Sequence, residues 1–255
     1  MFFARKYPRF ISASLACAAL ISVSAPALSA AADVAAALSH PDRPSADVAD
    51  DASRKPAQVL SFAGLETGMS VFEMEAGGGY YTEILARAVG PNGSVVMQNP
   101  PSFDDFIGDA PQVRTANGRL PNIRISRTNF DQLEAADNSI DLVTWILGPH
   151  ELGFVANGVS LGDASETFNE IARILKPGGL LLAVDHIAPA GSGIEAGGTL
   201  HRVAESVVTE LATAAGLTFY RSSDLHKNPA DPLTIGVFDP SIQGNTSKFV
   251  VLYRK

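Results

Sequence analysis

Val71-Phe72-Glu73-Met74-Glu75-Ala76-Gly77-Gly78-Gly79-Tyr80-Tyr81-Thr82 joins a short apolar run to a triple glycine and then to a helix-forming segment. Met69 to Met74 has the length and apolar content of a buried strand, and residues 80–89 (YYTEILARAV) carry helical spacing. A strand that turns through glycines into a helix lets backbone N–H groups approach a ligand closely, and the helix start adds unpaired donors and partial positive charge. In open α/β sheets, ligands sit in the crevice beyond the carboxyl ends of the strands. A turn of this kind also serves as a tight structural connection, so its surroundings decide the reading.

Outward from the turn, strands and helices alternate. Upstream, Lys55 to Ala63 predicts a helix with Pro56 in its first turn and Gly64 to end it. Downstream come a strand at 94–98, a helix near 102–116 and a strand at 122–126. Ile140 to Leu147 is a near-continuous apolar strand of the kind buried on both faces. A helix at 163–175, stopped by Lys176-Pro177-Gly178-Gly179, leads to a second apolar strand at 180–185. A helix at 199–215, a strand at 217–222, an irregular stretch at 223–246 and a strand from Lys248 to Tyr253 complete the chain. Such alternation predicts an α/β domain, residues 55–255, with a mainly parallel sheet.

Residues 1–30 read as a targeting segment. Arg5, Lys6 and Arg9 precede the apolar run Phe10 to Val23, Pro26 breaks it, and small residues follow. That order predicts a secretory signal peptide cleaved between Ser29 and Ala32, with a periplasmic or secreted product. The run is shorter than the roughly 20 residues a membrane span needs. Ser14-Leu15-Ala16 before Cys17 is a poor lipid-attachment sequence. Cleavage removes the only cysteine, and with it any disulfide or thiolate metal site. The remaining 16 Lys and Arg face 27 Asp and Glu, a formal charge of −11 that gives no electrostatic reason to bind nucleic acid or anionic lipid. Residues 31–54 read as an extension lying on the domain, with Asp47, Asp50 and Asp51 on a solvated face.

Three segments in this order resemble the class I S-adenosylmethionine-dependent methyltransferase superfamily. They are the glycine turn quoted above, Asp137-Asn138-Ser139-Ile140-Asp141-Leu142-Val143, and Phe168 to Leu180 (FNEIARILKPGGL). The triple glycine, the paired tyrosines and the export signal together are similar to a group of exported bacterial predicted methyltransferases. The resemblance implies a Rossmann-like doubly wound sheet of seven strands, mostly parallel, with the last antiparallel. It also implies S-adenosylmethionine as cofactor, with its methionine part on the glycine turn.

Carried over residue by residue, the resemblance makes Glu73 the acidic residue that orients the turn and meets the cofactor's ammonium. Gly77 and Gly79 fill two of the three glycine positions, and Glu75 stands at the first, adding bulk and negative charge. Asn99 takes the ribose-facing position usually held by a carboxylate, so Asn99→Asp is expected to tighten binding. Asp104 and Asp105 are nearby carboxylates able to compensate, and Asn129 takes the adenine-contacting position.

Methyl transfer is an in-line displacement at an activated carbon, so alignment supplies most of the acceleration. A base is needed only where the acceptor loses a proton. His150 and His186, at the ends of two apolar strands, are the candidate catalytic residues, with Glu151, Asp185 and His201 beside them in the pattern. The same donor types suit a metal, but no two histidines have helical ligand spacing and no metal is assigned. Two functions remain: a methyltransferase acting on a small or envelope-associated acceptor, or an exported accessory protein that keeps the fold without the reaction.

Overall fold

A computed structural model describes residues 1–4, 30–156 and 158–255. Most of the segment expected to direct export, residues 5–29, lies outside the described residues. No helix among them is long and apolar enough to cross a membrane.

Three helices come first: α1 (Val34–Leu38), α2 (Ser45–Arg54) and α3 (Pro56–Ala63). Then follow β1 (Ser70–Met74), α4 (Tyr80–Val89), β2 (Ser94–Gln98), the short α5 (Asp104–Ile107) and α6 (Ala110–Thr115), and β3 (Ile123–Ser126). After β4 (Ile140–Ile146), a 3-10 segment at Pro149–Gly153 leads to the two-residue strands β5 (Val155–Ala156) and β6 (Val159–Ser160). The chain ends with α7 (Ala164–Ile174), β7 (Leu175–His186), α8 (Ala196–Leu200), α9 (Glu205–Ala214), β8 (Thr218–Ser223) and β9 (Lys248–Arg254).

Seven strands form one sheet in the order β3-β2-β1-β4-β7-β9-β8. Only β9 runs antiparallel to its neighbours, entering between β7 and β8. Alternate side chains divide between two cores. Phe72, Val143, Leu181 and Val251 pack on the α7 and α9 face, while Val71, Leu142, Leu182 and Val250 pack with residues of α3 and α4. The strand order reverses between β1 and β4, and that switch point opens a crevice at the carboxyl ends.

The structure departs from the expected elements in two places that shape the crevice. The helix expected near 102–116 is broken at Gly108, where φ is +53°. The helix expected over 199–215 is broken at His201 (φ +50°), because Arg202 turns inward. Its guanidinium is fully buried and pairs with Asp231 at 2.9 and 3.0 Å.

The extension is docked, and two of its acidic groups are not a solvated face. Arg43 pairs with Asp51 through two 2.8 Å bonds, and Tyr80 Oη donates to Asp51 at 2.6 Å. Arg114 binds Asp47 at 2.6 Å. Only Asp50 keeps a half-exposed pairing, with Arg54 at 3.1 Å.

Candidate active site

The glycine turn leaves β1 through Glu75 (φ +52°) and Gly77 (φ +56°), both in the left-handed region. Two amide residues at the end of β2 hold it there. Gln98 Oε1 accepts from the Glu75 N–H at 2.9 Å, and Gln98 Nε2 donates to the Thr128 carbonyl at 2.6 Å. Asn99 Oδ1 accepts from the Gly77 N–H at 2.7 Å, and its Nδ2 donates to the Gly77 carbonyl at 3.1 Å. Asn99 is buried, so both ends of its amide are committed to the turn and neither is offered to a ribose.

This reverses the expected sign of one substitution. In Asn99→Asp the donor to Gly77 is lost and a carboxylate oxygen faces a carbonyl oxygen in a buried position. The variant should lose about 1–3 kcal/mol of stability and bind cofactor more weakly than wild type. Chemical denaturation and a binding titration of the two proteins check both parts. Unchanged stability with tighter binding would restore the ribose-facing reading.

A cavity of about 320 Å³ lies on the turn, walled by Glu73, Glu75, Gly77, Tyr80 and Leu147 and covered by Asp50 and Arg54 of α2. The Arg54 guanidinium sits 4.5 Å from the Tyr80 ring centre. The residues present fit the methionine part of S-adenosylmethionine. No atom stands within 4 Å of where a Gly77 side chain would begin, so a ligand can lie on that backbone. Glu73 accepts from Thr82 Oγ1 at 2.5 Å, and burial pushes its carboxyl up to about 8, a setting in which an arriving ammonium would favour its ionised form.

The nucleoside side is less conventional. Gly79 is packed against Met97 and Arg114 and faces no open space. Asp104 pairs with Arg127 instead of standing free. The Asn129 side chain, half-buried beyond β3, has no hydrogen-bond partner among the described residues. Buried hydroxyls at Ser102, beyond β2, and Thr128, beyond β3, also lack partners there, leaving polar atoms for a ligand to satisfy.

A larger chamber of about 550 Å³ adjoins the first cavity and shares Glu75, Gly77 and Leu147 with it. Its walls carry Phe103, Phe106, Phe154 and Phe238, together with His150, Glu151, His186 and His201. Asp185 organises the polar end. Its carboxylate accepts the His150 backbone N–H at 2.7 Å and lies 2.9 and 3.0 Å from His150 Nδ1. His150 Nε2 is left facing Glu151 Oε1 at 3.3 Å. Burial disfavours charge on His150, but Asp185 outweighs it and holds the imidazole well above its ordinary value. Burial, then Glu151, push Glu75 well above the usual carboxylate range, and Trp145 Nε1 donates to it at 3.3 Å.

His186 lies in the chamber wall and reaches this network only through its backbone N–H, which donates to Asp185 at 2.7 Å. Its Nδ1 is 2.7 Å from Thr246 Oγ1, and burial pulls it down to about 3, which keeps it neutral. Of the two expected catalytic histidines, the structure thus puts His150 among the charged groups and His186 on a hydroxyl. Sequence reasoning missed Arg114, whose Nε donates to the Gly78 carbonyl at 2.9 Å, and the four phenylalanines. The phenylalanines stand in or beside loops, where exposed aromatic residues are a usable sign of a binding wall.

Residues 73–183 match the family described as "Methyltransferase domain". Ubiquinone/menaquinone biosynthesis C-methyltransferase UbiE of Legionella pneumophila (strain Paris) is 27% identical over 137 residues, 54% of this chain and 50% of that protein. Demethylmenaquinone methyltransferase of Staphylococcus aureus (strain JH9) is 27% identical over 132 residues, 52% of this chain and 49% of that protein. The chain therefore spans about half the length of the curated relatives it matches. Among solved structures, a SAM-dependent methyltransferase from Aquifex aeolicus superposes with a TM-score of 0.57 at 21% identity, covering 83% of this chain and 98% of that one. An S-adenosylmethionine-dependent methyltransferase from Mesorhizobium loti gives 0.57 at 15% identity, covering 81% and 99%. The matched segment runs from β1 and the glycine turn into β7, and the solved neighbours share the fold, a mostly parallel seven-stranded sheet with an antiparallel strand from the end of the chain.

Proposed function

We propose that the chain is an exported methyltransferase that uses S-adenosylmethionine to methylate a flat, largely apolar acceptor. The observation that carries this reading is the shared wall. Glu75, Gly77 and Leu147 line both the cavity on the glycine turn and the phenylalanine chamber, so a group held on the turn meets the chamber directly. Bound there, the cofactor supplies a methyl group already activated by a sulfonium. The chain's own part is to align and to exclude water. Gly77, Glu73 and Arg54 would hold the amino-acid end, and the phenylalanines would clamp the acceptor face to face or edge to face. His150, with Asp185 behind its ring and Glu151 beside it, is the group placed to handle an acceptor proton. The curated relatives are named for ubiquinone and menaquinone biosynthesis, and a ring of that flat kind suits the chamber.

Calorimetric titration with S-adenosylmethionine and with its demethylated product should give one site for each. A chain that binds neither would end this proposal.

Export rests on the basic, apolar and small-residue order of residues 1–30. Among the described residues, the end of that segment and the residues just after it contact the domain: the Thr67 N–H donates to the Ala30 carbonyl at 2.9 Å, and the Ala32 N–H to the Leu65 carbonyl at 3.0 Å. N-terminal sequencing from the native host should find periplasmic protein beginning between residues 30 and 33. An intact Met1 on cytoplasmic protein would refute export and leave the methyltransferase reading standing.

A further inference from the structure

We propose that His150, Glu151 and His201 form a binding site for one divalent transition-metal ion, with zinc the ion their donor set favours. One ligand atom from each lies within 4.8 Å of the other two. His150 Nε2 is 3.3 Å from Glu151 Oε1, and His201 Nδ1 is 4.0 Å from the same oxygen. Bonds of about 2.0–2.2 Å to nitrogen and oxygen place tetrahedral ligands roughly 3.3 Å apart, so a small side-chain rotation closes the set. Two imidazoles and a carboxylate suit zinc, and three protein ligands leave a further position open to the chamber.

Three independent features show that the set is built. Asp185 occupies His150 Nδ1, which fixes the ring and turns Nε2 toward Glu151, where an ion would take the place of its proton, the carboxylate–histidine arrangement that supports metal ligands. Glu151 Oε2 is buried and has no hydrogen-bond partner, so this carboxylate has capacity that the protein leaves unused. The third feature is backbone packing. Any side chain at Gly197 would overlap the His150 carbonyl oxygen, and one at Gly153 would overlap the Ile194 carbonyl oxygen. These glycines let α8 lie flush on the 3-10 segment that carries His150 and Glu151. His201 follows at the end of α8 in the left-handed region, a conformation a non-glycine residue adopts at a cost in strain.

Around the set the walls are apolar, with the rings of Phe154 and Phe238 each 5.0 Å from the His201 ring. An occupant of the chamber with an oxygen or nitrogen lone pair would complete the coordination. The ion would then orient that occupant and draw electron density from it. The site does not depend on methyl transfer, because its ligands come from the chain alone; with an ion on Nε2 and Asp185 on Nδ1, His150 is a ligand and no longer takes an acceptor proton.

The test is to strip the full chain with a chelator and titrate it with Zn²⁺ against a chromophoric competitor, then with Co²⁺ by visible absorbance. The expected result is one ion per chain, with Co²⁺ bands of a four- or five-coordinate site. Asp185→Asn should weaken Zn²⁺ binding about 10–100-fold through the orientation of His150, and Glu151→Gln and His201→Ala should weaken it more. His40→Ala and His226→Ala should leave it unchanged. Should Glu151→Gln fail to fold, His201→Ala carries the test, since that side chain is partly exposed. Zn²⁺ affinity that survives in His201→Ala, or falls in His40→Ala or His226→Ala, would overturn the proposal. So would a stripped wild type that binds no ion.

Discussion

Gly77→Val should remove measurable S-adenosylmethionine binding, a loss of at least a hundredfold, from a protein that still folds. Gly77 has a φ of +56° and open space where a side chain would begin. Valine there meets no wall, so the cost to folding is backbone strain of about 1–3 kcal/mol. The turn cannot relax to a right-handed conformation without breaking both bonds to the Asn99 amide. The branched side chain therefore stays in the space where the cofactor would touch the backbone. A hundredfold loss corresponds to about 2.7 kcal/mol, well within what a displaced ligand forfeits. Gly68→Val is the control. Gly68 also has positive φ (+82°) and open space around it, but it precedes β1 at the opposite end of the sheet. It should show similar strain and normal binding. Equal binding by wild type and a folded Gly77→Val would show that the turn does not receive the cofactor.

The sheet could be read from the sequence because strands covered on both faces must be apolar throughout. Ile140–Ile146 and Phe249–Tyr253 announce themselves in that way, and the glycine turn marks where the strand order reverses. What escaped reading depends on direction and on distant partners. The helical spacing of Val203, Val207 and Leu211 continues through His201, but Arg202 is drawn inward by Asp231, 29 residues later, and the helix stops. No local pattern carries that contact. The place of Asn99 was readable and its orientation was not, because the side chain turns to the nearest unpaired groups, the N–H and carbonyl of Gly77. His150, Glu151 and His201 could be named as polar groups near strand ends. Their convergence follows from Gly153 and Gly197, whose lack of side chains lets two backbones meet. Asp47 and Asp51 looked solvated for a similar reason. Their partners include Arg114, 67 residues from Asp47, and Tyr80, 29 residues from Asp51.

Glu83→Gln should destabilise the protein by about 2–4 kcal/mol at neutral pH, because it breaks the charge centre that joins the extension to the glycine turn. The Glu83 side chain is fully buried in α4 and accepts from three arginines. Arg87 Nη2 lies at 2.8 Å, Arg114 Nη1 at 2.9 Å, and Arg119 Nη1 and Nη2 at 2.9 and 2.6 Å. Glutamine keeps the shape but removes the charge, and its amide donors face guanidinium donors. The lower part of the usual range for a broken buried pair applies, since Arg114 retains Asp47 and Arg119 is partly exposed. Burial opposes ionisation of Glu83, yet the hydrogen bonds from Arg119, Arg87 and Arg114 outweigh it and hold the carboxyl down to about 2. A folded value below the ordinary 4.5 means the stabilisation is complete above about 4.5 and is lost as pH falls toward 2. The stability gap between wild type and Glu83→Gln, measured by urea denaturation, should therefore be wide at pH 7 and narrow progressively in acid. The effect should also reach the cofactor, because Arg114 links Glu83 to the Gly78 carbonyl and, through Asp47, to α2. Weaker S-adenosylmethionine binding in the variant, at a temperature where it is fully folded, is the expected companion result. A stability gap below about 1 kcal/mol that does not change with pH would mean that solvent, not Glu83, compensates these arginines.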